Sequence, residues 1–392
     1  MSKMSIPLVS HFNFNGDSVV TGPIPTYPPT PKSGNLFPKY PHAINETAWE
    51  LWYFDGVSKR DGAAIVIDFS RHAESQDRGG FKVQVLGIWP DGKTWHRDLY
   101  FPESIVETAQ DTGTVLGVWQ DTSNGSSISF LVDADCSYAK IDISVPGLVS
   151  GSMSLTCLPG DTGLDTATEL GPSVHYMRPI GRAAVNANLT FESLSGEGHD
   201  TTSSLRLSDE ISTGGMDRVW SLLSWPQIMN ESYYLRGQAG PYAMQVMRII
   251  PSAGQEAMSW TVARLYCDGT LVCAAQDVIA AADKNQRHPA VDSLVVSKRY
   301  GSDGGDPVLT GTFRDRNIGY DVEFIQGRES GKRWCFDIRH ARTFWNMPTS
   351  APGSNGTGNT GFVEHIKGGL NGEHYEGVAL GGQCELISRN NP

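Results

Sequence analysis

Most signatures of common enzyme chemistry are missing from this chain. It has no GxSxG elbow, no Walker loop, no HExxH pair and no dinucleotide fingerprint on a strand-turn-helix unit. It also lacks an excess of positive charge. Lys and Arg number 31 against 43 Asp and Glu, a net charge of -12 with both signs interspersed, which argues against nucleic-acid or anionic-membrane partners. No apolar run approaches membrane-spanning length, and Met1 to Phe14 carries one Lys and no signal-type apolar core, so a cytoplasmic location is expected. The six cysteines show no CxxC or Cys/His ligand spacing, and the ten histidines are dispersed. Reduced thiols are expected, with no disulfide framework, no zinc and no other metal.

Charged residues make up only 19% of the chain, sparse for helical surfaces, whereas Gly at 43 and Pro at 22 suit a turn-rich β protein. A length of 392 residues exceeds what one core usually serves, so two domains are expected. Five prolines between Pro23 and Pro31 mark residues 1–42 as an extended N-terminal arm without regular structure. Short alternating segments then recur every 10 to 14 residues or so, separated by Gly, Asp and Pro turns, the pattern of a sandwich or barrel. Ser195 to Thr213 reads as a surface insertion, and the two-tryptophan segment Gly214 to Pro226 marks the junction. The expected domains are 43–218, a β-sandwich, and 219–392, in which eight or nine strands, including one at Val308 to Arg314, form a closed barrel of lipocalin size. Gly356 to Gly361 resembles a phosphate loop only superficially; no helix with Lys follows, and it reads as a turn.

The densest information lies in Thr47 to Gly56, where four aromatic residues and two carboxylates occupy ten positions. In an extended strand, Glu50, Trp52 and Phe54 share one face and Trp49, Leu51, Tyr53 and Asp55 the other. A carboxylate among rings is either a hydrogen-bonded structural acid or part of a ligand cavity. Elsewhere large rings and Met stand beside single polar groups: His175-Tyr176, Ser224-Trp225, Tyr233-Tyr234, Met244-Gln245 and Trp345-Asn346. Such lining suits a large, mostly apolar ligand, and equally two packed cores. A glycosidase-like pair of Glu50 with Asp55 or Asp68 is a further option, though sequence fixes no separation between them.

Six motifs in order give a more specific reading. They are Trp49-Glu50-Leu51-Trp52-Tyr53-Phe54-Asp55, Thr94-Trp95-His96-Arg97-Asp98-Leu99, Leu158-Pro159-Gly160-Asp161-Thr162-Gly163-Leu164-Asp165, Gly215-Met216-Asp217-Arg218-Val219-Trp220, Ser224-Trp225-Pro226, and Gly358-Asn359-Thr360-Gly361-Phe362-Val363-Glu364. From about residue 35 onward the chain closely resembles the fungal decalin-forming Diels-Alderases, whose fold is related to lipocalin-like carotenoid hydratases. The resemblance implies an N-terminal β-sandwich, a C-terminal lipocalin-like β-barrel and a ligand pocket between them. It implies an intramolecular [4+2] cycloaddition of a linear polyenoyl tetramic acid to a trans-decalin, without cofactor, in functional coupling to a polyketide-peptide synthetase.

Carried over residue by residue, the family's site positions fall on Glu50, Gln84, Tyr176 and Asn359 as catalytic candidates and on Trp52, Trp225, Tyr234 and Trp345 as substrate contacts. Asp68 joins the substrate-binding set, and Met244 and Val378 are added from strand alternation as wall residues. Asn359 departs from relatives that carry Lys there; an amide donates a hydrogen bond but brings no charge. Two rival readings remain: a lipocalin-like carrier of a hydrophobic metabolite, and a hydratase or dehydratase using Glu50.

Overall fold

The computed structural model describes residues 9–16, 18–158, 168–171, 173–192, 202–251, 259–275, 277–278, 291–301, 317–327, 331–351 and 356–386. Most of the third motif and the expected strand at Val308 to Arg314 lie outside the described residues. The chain is almost wholly β and divides into two compact units, Met1–Trp89 with Trp95–Thr168 and Ser173–Ser224, and Pro90–Thr94 with Glu169–Pro172 and Trp225–Pro392.

The first sheet contains β1 (Val9–Asn13), β2 (Trp49–Ser58), β3 (Ala64–His72), β4 (Phe81–Ile88), β5 (Thr94–Phe101), β6 (Glu103–Thr108), β7 (Val115–Asp121), β8 (Ser126–Val132), β9 (Tyr138–Val145), β10 (Val149–Cys157), β11 (Thr168–Glu169), β12 (Val174–Glu192), β13 (Thr202–Leu207) and β14 (Ser212–Ser221). Its order is β1-β6-β7-β8-β9-β10-β12-β14-β2-β3-β4-β5, with β11 and β13 also paired to β12. Strands far apart in that order meet face to face. The Trp52 ring of β2 lies 5.6 Å from Trp119 of β7 and 5.7 Å from Phe130 of β8, and Phe69 of β3 lies 5.1 Å from Trp119. One continuous sheet therefore folds over itself into a sandwich with a single aromatic core.

The arm is not wholly irregular. Val9–Asn13 alternates outward and inward, buries Ser10 and Phe12, and pairs with β6 as the edge strand of the sheet. Pro cannot donate to a ladder, so strand pairing is confined to the segment before the proline run. Thr202–Leu207, expected within a surface insertion, is an edge strand whose Leu205 and Leu207 point inward. Strand β12 runs unbroken for 19 residues, with register shifts between Met177 and Ala183. Pro179 sits within those shifts and supplies no N–H.

The second sheet follows one helical turn, α1 (Trp225–Ile228). It contains β15 (Glu231–Ala239), β16 (Tyr242–Ile250), β17 (Trp260–Cys267), β18 (Thr270–Ala275), β19 (Asp277–Val278), β20 (Ser293–Arg299), β21 (Gly319–Ile325), β22 (Arg333–Pro348), β23 (Gly358–Leu370) and β24 (Tyr375–Glu385). Gly358 to Gly361 opens β23, so the stretch read as a turn is largely strand. The order is β18-β17-β16-β15-β24-β23-β22-β21-β20-β19, and the ends curl together into a nearly closed barrel. The Cys273 thiol donates to the Ile325 carbonyl at 3.7 Å, and the Ala274 N–H to the Asp292 carboxylate at 2.8 Å. Leu235, Met244, Val246, Leu265, Phe336, Ile338 and Ile366 fill the interior. All six cysteines are free.

Candidate active site

Glu50 sits on the inner face of β2, with no exposed surface. Its Oε2 accepts from the Arg218 guanidinium at 2.5 Å and from the Lys39 backbone N–H at 2.9 Å, and Arg71 lies 3.9 Å from Oε1. Arg71 in turn donates to Ser10 and Ser104, and Arg218 to the carbonyls of Asn35, Leu51 and Val219. The carboxylate thus ties the arm, β1, β6 and β14 to β2. Trp52 belongs to the same knot: its indole N–H donates to the Leu36 carbonyl, and Arg218 lies 3.8 Å over its ring. Burial pushes the Lys39 ammonium, beside Arg218, down to about 8, against the pull of Glu50. Both Glu50 and Trp52 are core residues of the first unit, and Trp52 has no surface to offer a ligand. Asp55 and Asp68 lie on the opposite face of the sheet, which rules out either as a facing partner for Glu50 across a glycosidic bond.

That outer face carries a polar row. Strand register sets Asp217, Tyr53, Asp68 and Gln84 side by side across β14, β2, β3 and β4. The Gln84 amide donates to Asp98 at 2.8 Å and lies 3.3 Å from His96. Burial is opposed at Asp98 by these hydrogen bonds from His96 and Gln84, which hold its carboxyl below the usual range. Asp68 is different. Its Oδ1 is shielded and has no hydrogen-bond partner among the described residues, and burial, with Asp98 nearby and only Lys82 opposing, raises it to about 6. Tyr176 is buried on β12 opposite Val219.

A carboxyl raised in the fold binds its proton more tightly folded than unfolded. Stability contributed by protonated Asp68 is therefore full below about pH 4 and declines as pH rises through about 6. Asp68→Asn is expected to remove this slope and to be the more stable protein above that range, as urea unfolding at several pH values would show. A parallel pH dependence in both proteins would contradict the assignment.

In the second unit the outward-facing residues form another row. Tyr234 on β15 pairs with Gly382 on β24, Gly382 with Gly361 on β23, and Gly361 with Trp345 on β22. A Cβ on Gly361 would lie 2.2 Å from Trp345 Cε2, so the indole lies flat on the glycine and reaches toward Gly382. The two glycines make a floor on which the Trp345 indole lies, with Tyr234 beside it on the same face. The Trp345 indole N–H donates to Asn359 Oδ1 at 3.0 Å, which fixes the amide and leaves its NH2 as a donor. Val378 lies on the same outward face of β24, whereas Met244 is fully buried in the barrel interior. Met244 is therefore packing and not wall, because β16 turns its even-numbered residues inward. Trp225 is half-buried at the start of α1.

The structure thus brings Asp68 and Gln84 together in one unit and Tyr234, Trp345 and Asn359 in the other; Val378 lies farther along β24, opposite Gln238 and His365, and Glu50, Trp52 and Met244 belong to the cores. Sequence reasoning missed Tyr53 and Asp217 in the polar row and both floor glycines. Register alone reveals them. Among the described residues no group of three His, Cys, Asp or Glu side chains could hold a metal ion, and no helix is long and apolar enough to cross a membrane.

Comparison with known proteins supports a single family. The Diels-Alderase-like family model matches residues 4–387. The Diels-Alderase fsa2 of Fusarium sp. (strain FN080326) is 56% identical over 357 residues, 91% of this chain and 93% of that protein. A Diels-Alderase of Gibberella fujikuroi is 50% identical over 383 residues, 98% of this chain and the whole of that protein. The crystal structure of CghA superposes with a TM-score of 0.89 at 34% identity, covering 98% of this chain and all of the other. Kin of this identity and coverage leave one conclusion: the chain belongs to the Diels-Alderase-like family and is an enzyme of the pericyclase class.

Proposed function

We propose that this Diels-Alderase closes a linear polyenoyl tetramic acid to a trans-decalin by intramolecular [4+2] cycloaddition, using side-chain positioning alone. The observation that carries this reading is the glycine-floored row between Tyr234 and Trp345, with a fixed amide donor at Asn359. Flat rings over backbone suit a planar polyene, and the Asn359 NH2 suits a ring carbonyl. Holding diene and dienophile about 3 to 3.5 Å apart can supply up to ~7 to 11 kcal/mol of the barrier. Carbonyl polarisation by Asn359 is neutral hydrogen bonding, and Trp225 is assigned a substrate contact. A shape preference of about 1.4 kcal/mol between two closure modes gives a tenfold product ratio. Glu50 and Trp52 are assigned to holding the first unit together.

A polyketide-peptide synthetase would supply the substrate, and the reducing cytosol suits the six free thiols. The test is incubation of the linear compound with purified protein and analysis by mass and chromatography. Cycloaddition gives an isomer of unchanged mass. Gain or loss of water would favour a hydratase, and an unaltered isomer mixture would favour a carrier. The two core arginines already committed to Glu50 weigh against its use as a hydratase acid.

A further inference from the structure

The two strands that carry Trp345 and Asn359 do not pair in one register. From Trp334 opposite Leu370 to His340 opposite Glu364, β22 and β23 advance residue for residue. Two register shifts follow, and Ala341 and Phe344 have no counterpart across the ladder. Continued without these shifts, the lower register would set Trp345 opposite Asn359; with them it stands opposite Gly361. The indole therefore lies on Gly361 and its N–H reaches Asn359 at 3.0 Å because β22 has gained two residues on β23.

The last pair before the shift is polar and buried. The side chains of His340 and Glu364 have no exposed surface, and Nδ1 of one lies 2.8 Å from Oε1 of the other. The imidazole is held from several directions. It stacks on Phe362 with ring centroids 3.7 Å apart, meets Tyr320 edge-on at 5.6 Å, and places Nε2 3.3 Å from the Asn317 amide. The Glu364 carboxyl sits against Gly381, where an added Cβ would lie 2.2 Å from Oε2. Burial pushes this carboxyl up against the pull of His340, and Oε2 has no hydrogen bond among the described residues. Two apolar side chains would avoid that desolvation cost. What they would lack is direction: a hydrogen bond ties one residue of β22 to one of β23, whereas apolar packing tolerates a slip.

We propose that His340 and Glu364 are positioning residues, whose hydrogen bond pins the register where β22 begins to shift and so sets Trp345 on Gly361. The effect on product choice rests on the cyclase reading above; the effect on the indole does not.

The test uses the full chain in two forms, Glu364→Gln and a double variant of His340→Phe with Glu364→Leu. One readout is solvent exchange of the Trp345 indole N–H by NMR, its resonance identified by its loss in Trp345→Phe. The other is the isomer ratio formed from the linear polyenoyl tetramic acid. The double variant removes both polar groups and keeps a ring against Phe362, so it should stay folded. Its indole exchange should quicken by about tenfold or more, the scale of one lost hydrogen bond, and its isomer ratio should move by about threefold or more. Glu364→Gln, whose amide can still bond to Nδ1, should hold both readouts within about twofold of the parent. Parental exchange or a parental isomer ratio in a folded double variant would overturn the positioning role. So would a double variant that does not fold, which would make the pair a requirement of the barrel itself, or an equal change in Glu364→Gln. Quickened exchange alongside a parent protein that forms no decalin would uphold the pin and fail only the cyclase reading.

Discussion

Glu50→Gln is expected to lower the stability of the first unit by about 3 to 5 kcal/mol, the scale for removing one partner of a buried ion pair. Glu50, Arg71 and Arg218 have no exposed surface, and the amide that replaces the carboxylate cannot balance two guanidinium charges. Arg218 is further trapped over the Trp52 ring and cannot swing out to water without breaking three backbone contacts. The loss should appear as a lower urea midpoint with little change in slope. Replacing Glu50 and Arg218 together by Met should cost less than the sum of the single changes, because the double variant leaves one fewer charge stranded. A Glu50→Gln protein within about 1 kcal/mol of the parent would instead give Glu50 the modest weight of an exposed pair. It would reopen a catalytic role.

Trp345→Ala should have the largest effect on chemistry. The indole forms one wall of the glycine row and orients the Asn359 amide, so its loss removes a surface and frees a donor together. Misplacement of reacting groups by about 1 Å can cost 10²-fold in rate, and a loss of that order is expected, with a broader isomer mixture. Trp345→Phe keeps a ring but loses the N–H to Asn359 and should fall between. The ring is half-buried on the outward face and lies outside the barrel core, so far-ultraviolet dichroism and melting should change little. Unchanged rate and isomer ratio in Trp345→Ala would remove this row from the site.

The strand alternation at Trp49 to Asp55 was legible from sequence, and both its faces lie as the period-two pattern requires. What that pattern left open at Glu50 was whether rings around a carboxylate mean cavity or core. The answer lies in Arg218, 168 residues away, and in Arg71 on the neighbouring strand, neither of which periodicity can bring to Glu50. Tyr234, Trp345 and Asn359 were reached through family resemblance, but the floor beneath them depends on the register of four strands. Gly361 and Gly382 carry no side-chain signal, and their meaning appears only when β22, β23, β24 and β15 are laid side by side. Met244 shows the opposite failure. Alternation separated its face from that of its neighbours, yet which face would look into the barrel was set by closure of the whole sheet.

The central claim is catalysis of cycloaddition by a shaped surface. The measurement that tests it most directly is the time course of a linear polyenoyl tetramic acid with and without the purified protein, with isomers of identical mass resolved by chromatography. The account predicts one trans-decalin diastereomer, formed faster than in buffer. The buffer mixture of isomers, formed at the buffer rate, would contradict it and leave Tyr234 and Trp345 as the walls of a carrier.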